Sequence, residues 1–291
     1  MPSPPARNAP GLPPALPPAT LRDMTDPQII GDFVTIARDA GVATVTLKRG
    51  HRLNPLSRQA LDELRRAAQA LRSDTSVHAI ILTGDPVFSA GADLKDAATR
   101  STEDTPLLEK RERMRAGPDA CDAWEALDQV TIAAIEGFAI GGGVALAVAC
   151  DFRVMGAGAY LRLPEIPLGM NMSWHSVPRL VALGGPARTK TLTLFGDNMP
   201  AAEALAAGFA DQVVPDGTVL AAATALARKA AALPPVAARI AKRAITASAS
   251  ALHGATSYAD LDQFALTASS GDNREAVTAF LERRTPTFTG S

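Results

Sequence analysis

The chain has 291 residues, with 29 basic and 30 acidic side chains that give a formal net charge of −1. This balance provides no general electrostatic attraction for nucleic acid or for an anionic membrane surface. Apolar residues make up 47% and charged residues 20% of the sequence, which is typical of a globular protein with a substantial core. The two cysteines, Cys121 and Cys150, provide neither a disulfide framework nor a zinc-binding spacing, so we expect a reducing compartment, the cytoplasm.

The N-terminal segment, residues 1–28, is rich in proline, which predicts a disordered, extended tail. A transit peptide is the alternative, because no acidic residue precedes Asp23. No apolar stretch reaches the ~18–20 residues that a membrane-spanning helix needs. The closest stretch, residues 133–149, is interrupted by Glu136 and by four glycines. We therefore expect no membrane span.

Ordered structure is predicted from about residue 29. Residues 33–38 and 42–47 alternate between apolar and polar on either side of a short Asp-Ala-Gly turn, which predicts a β-hairpin. Ser57 is the predicted N-cap of a helix that ends near Arg72. A buried strand is predicted at 79–83. Residues 103–128 are charged and predicted to be helical, with a break at Gly117-Pro118.

The second half of the predicted core repeats this alternation. Residues 131–135 predict a strand, Gly142 or Gly143 opens a helix to Cys150, and 151–154 predict another strand. Strands and helices of this length predict an α/β core with parallel pairing over residues 29–198. From Pro186 onward the pattern is almost entirely helical, and residues 199–291 are predicted to form a helical C-terminal subdomain. Its Ala- and Leu-rich faces predict burial against a neighbouring subunit.

Two glycine-containing segments carry the chemistry: F-S-A-G-A-D-L at 88–94 and I-G-G-G-V-A at 140–145. Glycine allows backbone N–H groups to approach a ligand closely, and the N–H groups at a helix N-terminus are unpaired. Two such groups are what an oxyanion hole for a thioester carbonyl needs. The alternative is a pair of tight turns in which glycine serves packing only. A nucleotide-binding loop does not fit, because no Gly-Lys-Ser/Thr follows and the G-x-G-x-x-G spacing is absent.

A third segment, Y-L-R-L-P-E-I-P-L-G at 160–169, completes a set that resembles the F-S-A-G-A-D, G-G-G-x-E and P-E-x-x-L-G motifs of the crotonase family of enoyl-CoA hydratases and isomerases. The resemblance extends from about residue 29 to residue 290. It implies a spiral of ββα repeats with a helical C-terminal trimerisation subdomain, assembled as a homotrimer or a dimer of trimers. It also implies an acyl-CoA thioester substrate, with coenzyme A as part of the substrate and no separate cofactor or metal.

The resemblance assigns the two oxyanion donors to the backbone N–H groups of Ala92 and Gly142. Glu165 matches the family's second catalytic glutamate, and its apolar neighbours predict a raised pKa suited to proton transfer near neutral pH. A surface glutamate in a proline-bent loop is the alternative. The family's first catalytic glutamate is replaced by Ala145, which removes one of the two carboxylates of a hydratase.

The chain departs from the family again after Gly169. The family usually continues with a glycine-rich stretch, whereas residues 170–179 read M-N-M-S-W-H-S-V-P-R. Ser173, Trp174 and His175 are therefore candidates to line the acyl pocket, and His175 is a candidate second acid/base group. The alternative is that Trp174 fills the pocket wall with Met172 while His175 is structural.

The contacts with coenzyme A are less distinctive. Residues 48–57 resemble the family segment around the adenine end, so Arg49, His51 and Arg52 are candidates to contact phosphate. Residues 280–290 resemble the family's C-terminal motif, in which Phe280 or Arg283 is expected to close over the nucleotide. The full set of residues predicted to contact substrate is Arg52, Asn54, Leu56, Ala90, Asp93, Leu94, Gly141, Leu168, Trp174, His175 and Phe280.

One carboxylate beside an oxyanion hole suffices to move a proton, so the sequence favours isomerisation of 3-enoyl-CoA to 2-enoyl-CoA over hydration. Hydration needs a compensating second group, for which the candidates are His175 and a carboxylate from Glu109, Glu112 or Asp122. Other thioester chemistry through Ser173 or His175, and acyl-CoA binding without catalysis, are the remaining alternatives.

Overall fold

The structure is a computed structural model that describes residues 27–49, 53–96 and 105–291. Most of the predicted tail, and the candidate phosphate contacts His51 and Arg52, lie outside the described residues. The strands are β1 (Gln28–Ile29), β2 (Val34–Asp39), β3 (Val42–Leu47), β4 (Ala79–Gly84), β5 (Val130–Ile135), β6 (Phe138–Ile140), β7 (Phe152–Gly156), β8 (Tyr160–Arg162), β9 (Met199–Pro200) and β10 (Gln212–Val214). The helices are α1 (Arg58–Arg72), α2 (Leu107–Met114), α3 (Ala116–Glu125), α4 (Gly142–Val148), α5 (Ser176–Phe195), α6 (Ala201–Ala207), α7 (Val219–Ala231), α8 (Pro235–Ala249), α9 (His253–Ser257), α10 (Asp260–Ala268) and α11 (Gly271–Glu282).

Seven strands form the main sheet in the order β1-β2-β3-β4-β5-β7-β10. The predicted hairpin is confirmed, because β2 and β3 pair antiparallel, and the strands from β3 to β10 pair in parallel. A second layer contains β6, β8 and β9, together with the isolated bridges Leu56↔Ala92 and Ser89↔Ala139. Strands β3, β4, β5 and β7 are thus each followed by a short segment in the second layer and then by a helix, as expected for a spiral of ββα repeats.

The parallel strands are mostly apolar because both faces of the main sheet are covered. In β4, Ile80 and Leu82 belong to the larger core cluster, whereas Ala79 and Ile81 belong to a second cluster on the opposite face. Successive side chains of a strand point to opposite faces, so one continuous apolar run supplies both cores. The second cluster is closed by the buried face of α7.

The helix boundaries confirm one prediction and correct another. The Ser57 side chain accepts a hydrogen bond from the backbone N–H of Ala60 at 3.2 Å, as expected for the N-cap of α1. The break in the charged stretch lies at Arg115 and not at Gly117-Pro118. Pro118 instead stands in the first turn of α3, where a proline costs nothing because the first N–H groups of a helix have no intrahelical acceptor.

The C-terminal segment differs from its prediction in three places. Strand β10 lies inside the stretch predicted to be almost entirely helical, and it pairs in parallel with β7. The packing of the core therefore continues past residue 198, through β10 and α7. Helix α5 begins at Ser176, ten residues before the predicted Pro186, and it bends at Gly185, whose backbone is non-helical. Beyond α7, the described chain consists of helices α8–α11 and a C-terminal extension.

Helices α8–α11 leave many large apolar side chains exposed. Helix α8 has no buried residue at all. The exposed apolar side chains of this region include Ile240, Ile245, Leu252, Tyr258, Leu266 and Phe280. No single helix of the described residues is both long and apolar enough to cross a membrane, and the pair α7 and α8 meets the length and composition test only as two helices bent by 109°.

Candidate active site

A largely apolar cavity of about 160 Å³ lies where the three sequence motifs meet. The loop after β4, the N-terminus of α4 and the turn after β8 each provide part of its wall. Residues predicted from the motifs that line it are Ala90, Ala92, Leu94, Gly141, Gly142, Glu165, Leu168 and Trp174. The fold therefore brings together segments that are about 50 and about 20 residues apart in the chain.

The two predicted oxyanion donors lie side by side. A Cβ atom added to Gly91 would lie only 3.1 Å from the Gly142 nitrogen, so the loop that carries Ala92 touches the start of α4. Neither the Ala92 N–H nor the Gly142 N–H has a hydrogen-bond acceptor among the described residues. Gly142 is the first residue of α4, where the helix dipole adds partial positive charge. Both features suit the stabilisation of a negatively charged oxygen.

The loop that presents Ala92 is held by buried polar contacts. The Ser89 hydroxyl donates to the Asn54 carbonyl at 2.9 Å and accepts from the Gly91 N–H at 3.0 Å. The Asn54 side chain is fully buried and donates to the carbonyls of Leu47, Val87 and Phe88. Asn54 therefore supports the loop and is not part of the cavity wall, contrary to the prediction that it contacts substrate.

Each glycine of the Gly141-Gly142-Gly143 run makes room for a different neighbour. A Cβ atom on Gly141 would lie 2.6 Å from the Glu165 Oε1 atom, and one on Gly142 would lie 2.4 Å from the Trp174 ring. A Cβ atom on Gly143 would lie 2.8 Å from the Ser89 carbonyl oxygen. The run thus lets the carboxylate, the indole and the Ser89 loop approach the start of α4 together.

Glu165 is the only ionisable residue among the described residues that line the cavity. Its Oε2 atom is buried and has no hydrogen-bond partner. Desolvation by burial raises the pKa of Glu165 to about 7, against a smaller lowering by a hydrogen bond from its own backbone. A carboxyl group with this pKa exchanges a proton readily at neutral pH. The buried, unpartnered oxygen leaves one acceptor free for a substrate proton.

Ala145 stands where the family has its first glutamate, and it is fully buried in α4. The candidate replacement carboxylates do not reach the cavity. Glu109 pairs with Arg113 and Glu112 pairs with Arg115, both on the protein surface. Asp122 is bonded to His175 and Arg179. No group of three or more His, Cys, Asp or Glu side chains within the described ranges is arranged to hold a metal ion.

Trp174 and His175 separate in the structure. Trp174 lines the cavity, but His175 does not. The His175 Nδ1 atom lies 3.0 Å from the Asp122 Oδ1 atom. This hydrogen bond raises the pKa of His175, against a smaller lowering by burial. His175 is therefore not part of the cavity wall, whereas Ser173 and Trp174 lie in the wall as expected.

Three further predicted contacts also lie outside the cavity wall. Leu56 is buried, and its backbone forms an isolated parallel β-bridge with Ala92. Asp93 forms an ion pair at 2.6 Å with the Nη1 group of Arg49, a candidate phosphate contact, and this pair joins the two loops. Phe280 is 70% exposed on α11 and is not part of the wall.

Sequence reasoning missed one aromatic residue of the site. Phe264 of α10 lines the cavity beside residues of the central motifs. No motif marks it, because its place depends on how the C-terminal helices fold back over the core. Met170 and Met172 also line the cavity. Met172 was expected in the wall beside Trp174 under the alternative given for this segment, whereas Met170 was not predicted.

The sequence matches the family model described as enoyl-CoA hydratase/isomerase over residues 37–291. A probable enoyl-CoA hydratase of Mycobacterium tuberculosis is 35% identical over 89% of this chain and 98% of its own length. The 2,3-dehydroadipyl-CoA hydratase of Escherichia coli is 33% identical over 88% of this chain and 98% of its own length.

Solved structures agree with the sequence comparison. The chain is similar to an enoyl-CoA hydratase from Mycobacterium avium subsp. paratuberculosis, with a TM-score of 0.78, 26% identity and coverage of 89% of this chain and 99% of the other. It is also similar to Pseudomonas aeruginosa DspI, with a TM-score of 0.70, 31% identity and coverage of 89% and 97%. The crotonase resemblance is thus confirmed, and the chain belongs to the enoyl-CoA hydratase/isomerase family of acyl-CoA enzymes.

Proposed function

We propose that this enzyme isomerises 3-enoyl-CoA to 2-enoyl-CoA, with Glu165 as its only acid/base group. The observation that carries the proposal is the single ionisable group in the described cavity wall, whose pKa burial raises to about 7. Ala145 supplies no second carboxylate. A single carboxylate that changes between its two protonation states can move a proton between two carbons of one substrate.

The reaction follows from the positions of the donors and the base. The thioester oxygen accepts hydrogen bonds from the Ala92 and Gly142 N–H groups. The Glu165 carboxylate removes a proton from C2, and the C2–H electron pair moves into conjugation with the thioester and the 3,4 double bond. The resulting dienolate carries its negative charge on the oxygen held by the two N–H groups. Glu165, now neutral, returns the proton to C4, which leaves a 2,3 double bond.

Hydration is the second candidate, because the named relatives are hydratases. Hydration must add a hydroxyl group and a proton to different carbons, and it needs a group that positions and activates water. Glu165 can perform one of these tasks. The cavity wall is largely apolar, and its described residues offer no second ionisable group. These features support isomerisation over hydration.

A paired assay of the purified chain tests the proposal. One arm follows hydration of a trans-2-enoyl-CoA, and the other follows isomerisation of the matching 3-enoyl-CoA. Isomerisation without appreciable hydration is the expected result. Rapid hydration with slow isomerisation would contradict the single-base mechanism and favour the hydratase reading. Neither activity with intact acyl-CoA binding would favour other thioester chemistry or a binding protein.

We also propose that coenzyme A enters only as part of the substrate, that no further cofactor is needed, and that the enzyme works in the cytoplasm. The assembly is proposed to be a homotrimer or a dimer of trimers, since the exposed apolar side chains of α8–α11 are suited to a subunit interface. Light scattering is expected to give about three or six times the chain mass of 30.2 kDa. A monomer at micromolar concentration would contradict this.

A further inference from the structure

Two consecutive bulky residues at the cavity adopt a left-handed backbone conformation. Trp174 has a φ of 61° and His175 a φ of 53°. Residues other than glycine seldom adopt this conformation, and although histidine does so more often than most, a bulky tryptophan rarely does. Such backbone persists only where the surrounding contacts enforce it, and it concentrates at functional sites. The turn before α5 therefore requires a structural explanation.

The contacts that hold this turn come from three helices. The His175 N–H donates to the Asp260 carboxylate at 2.8 Å, and the His175 ring bonds to Asp122. Arg179 donates to the Trp174 carbonyl at 3.2 Å and to Asp122 at 2.8 Å. Glu125 binds the same guanidinium through both of its oxygens. We call Asp122, Glu125, His175, Arg179 and Asp260 the clamp.

The clamp places the Trp174 indole between two glycines. A Cβ atom on Gly117 would lie 2.1 Å from the Trp174 Cε2 atom, and one on Gly142 would lie 2.4 Å from its Cζ3 atom. The ring thus fills space that side chains of α3 and α4 would otherwise occupy. The indole also lines the cavity. Because Gly142 is an oxyanion donor, the ring lies directly beside the position of the thioester carbonyl.

We propose that Trp174 is a specificity-determining residue, whose indole restricts the site to short, apolar acyl groups and is held in place by the clamp. This inference rests on the proposed acyl-CoA function, because it takes the Gly142 N–H as the anchor of the thioester. From that anchor, the first acyl carbons run beside the indole. The ring therefore limits the space beside that anchor, in a cavity of about 160 Å³.

The other aromatic and apolar residues of the cavity fit the same substrate class. Phe264, Leu94 and Met170 contribute to the wall. No lysine, arginine or histidine stands among the wall residues that the structure describes. An acyl group with a terminal carboxylate would lose its hydration there without gaining a cationic partner. The wall therefore favours a short, uncharged chain.

Binding measurements on the full chain test the proposal without depending on turnover. Butyryl-CoA and decanoyl-CoA are saturated and do not isomerise, so calorimetry gives their dissociation constants directly. Wild type is expected to bind butyryl-CoA at least tenfold more tightly than decanoyl-CoA. Trp174→Gly, which suits the left-handed backbone, is expected to reduce that ratio at least tenfold, and Trp174→Phe to reduce it less. An unchanged ratio in folded Trp174→Gly would overturn the assignment.

A spectroscopic measurement covers the case in which Trp174→Gly does not fold. The sequence has two tryptophans, and Trp124 is fully buried with its indole N–H bonded to the Leu64 carbonyl. Saturation of wild type with butyryl-CoA is expected to change tryptophan emission, and Trp174→Phe is expected to abolish the change. Emission that does not respond in wild type, or that responds equally in Trp174→Phe, would also overturn the assignment.

The positioning role of the clamp has a matched pair of variants on α3. Asp122→Ala removes the partner of His175 and one partner of Arg179, and it is expected to lower the butyryl-to-decanoyl preference at least threefold. Asp119→Ala removes only a surface ion pair with Arg115 and is expected to leave the preference unchanged. Equal effects of the two variants would refute the clamp. If wild type shows the expected chain-length preference in binding but does not isomerise 3-enoyl-CoA, the proposed reaction is contradicted and the role of Trp174 is not.

Discussion

One side of the cavity is formed by backbone N–H groups, and the other side is formed by side chains. On one side, the backbone N–H groups of Ala92 and Gly142 face the cavity from a loop and a helix start that buried polar contacts hold. On the other side, the wall is formed by the side chains of Glu165 and Trp174, the proposed base and the proposed limit on the acyl group. Substitution of neighbouring side chains leaves a backbone donor in place, as at Ala145. Under the proposed mechanism, the backbone side recognises the thioester, and the side-chain side determines the reaction and the acyl group.

The largest expected effect comes from removing the base while leaving the backbone side intact. Glu165→Gln is expected to lower kcat for isomerisation by about 10³-fold, because general base catalysis contributes about 10²–10⁴-fold. The dissociation constant for butyryl-CoA is expected to stay within about threefold of wild type. Glu203→Gln, an exposed change on α6, serves as the control. An isomerisation rate that survives Glu165→Gln would remove Glu165 from the mechanism.

The raised pKa of Glu165 also predicts how the rate of isomerisation depends on pH. The kcat/KM for isomerisation is expected to rise with pH and to level off above about 7, since the base must be ionised in the free enzyme. A profile that is flat between pH 5 and pH 9 would contradict this assignment. The measurement uses wild type only, with buffers matched in ionic strength.

The same pKa predicts an effect on stability. The unfolded chain releases the Glu165 proton near pH 4.5, whereas the folded chain holds it to about pH 7. Between these values the unfolded state binds fewer protons, so the free energy of unfolding of wild type falls relative to Glu165→Gln as pH rises. The relative loss is at most about 3 kcal/mol. Denaturant unfolding of both proteins at pH 5 and pH 8 measures it, and a constant difference would refute the burial of the charge.

Gly142→Ala tests the contact between the backbone of Gly142 and the ring of Trp174, where the two sides of the cavity meet. The substitution keeps the backbone donor, but its methyl group collides with the Trp174 ring. Because overpacking costs about 1–3 kcal/mol, kcat/KM is expected to fall about tenfold or more in the wild-type background. In the Trp174→Gly background the same substitution is expected to cost less than threefold. Equal losses in both backgrounds, measured as a double-mutant cycle, would show that the ring is not what the methyl group meets.

Sequence reasoning succeeded where local chemistry decides the structure. The hairpin, the Ser57 cap, the apolar parallel strands and the start of α4 follow from alternation, capping and glycine placement, and the comparisons confirm the family. The three motifs predicted residues that do line the cavity. Their roles in the reaction stay predictions until the assays above are made.

The misses share a physical origin in long-range packing. The position of the break before α3 depends on where α3 packs. Pro118 is compatible both with a break at its own position and with a place in the first turn of a helix, so it does not decide between them. Strand β10 is too short to show a pattern of its own. His175 is turned away from the cavity by Asp122 and Asp260, which are 53 and 85 residues distant in sequence. No local pattern encodes such partners.

The insertion of β10 into the main sheet determines which pieces of this chain can stand alone. A fragment that ends at residue 198 would leave β7 as an exposed edge, with unpaired N–H and carbonyl groups open to pairing with other chains. It would also uncover the apolar face formed by Val42, Ile81 and Ile132, which α7 covers in the intact chain. A fragment that keeps this sheet paired and covered therefore extends at least to Ala231, and an interruption or fusion is expected to be better tolerated after α7 than at the predicted domain boundary.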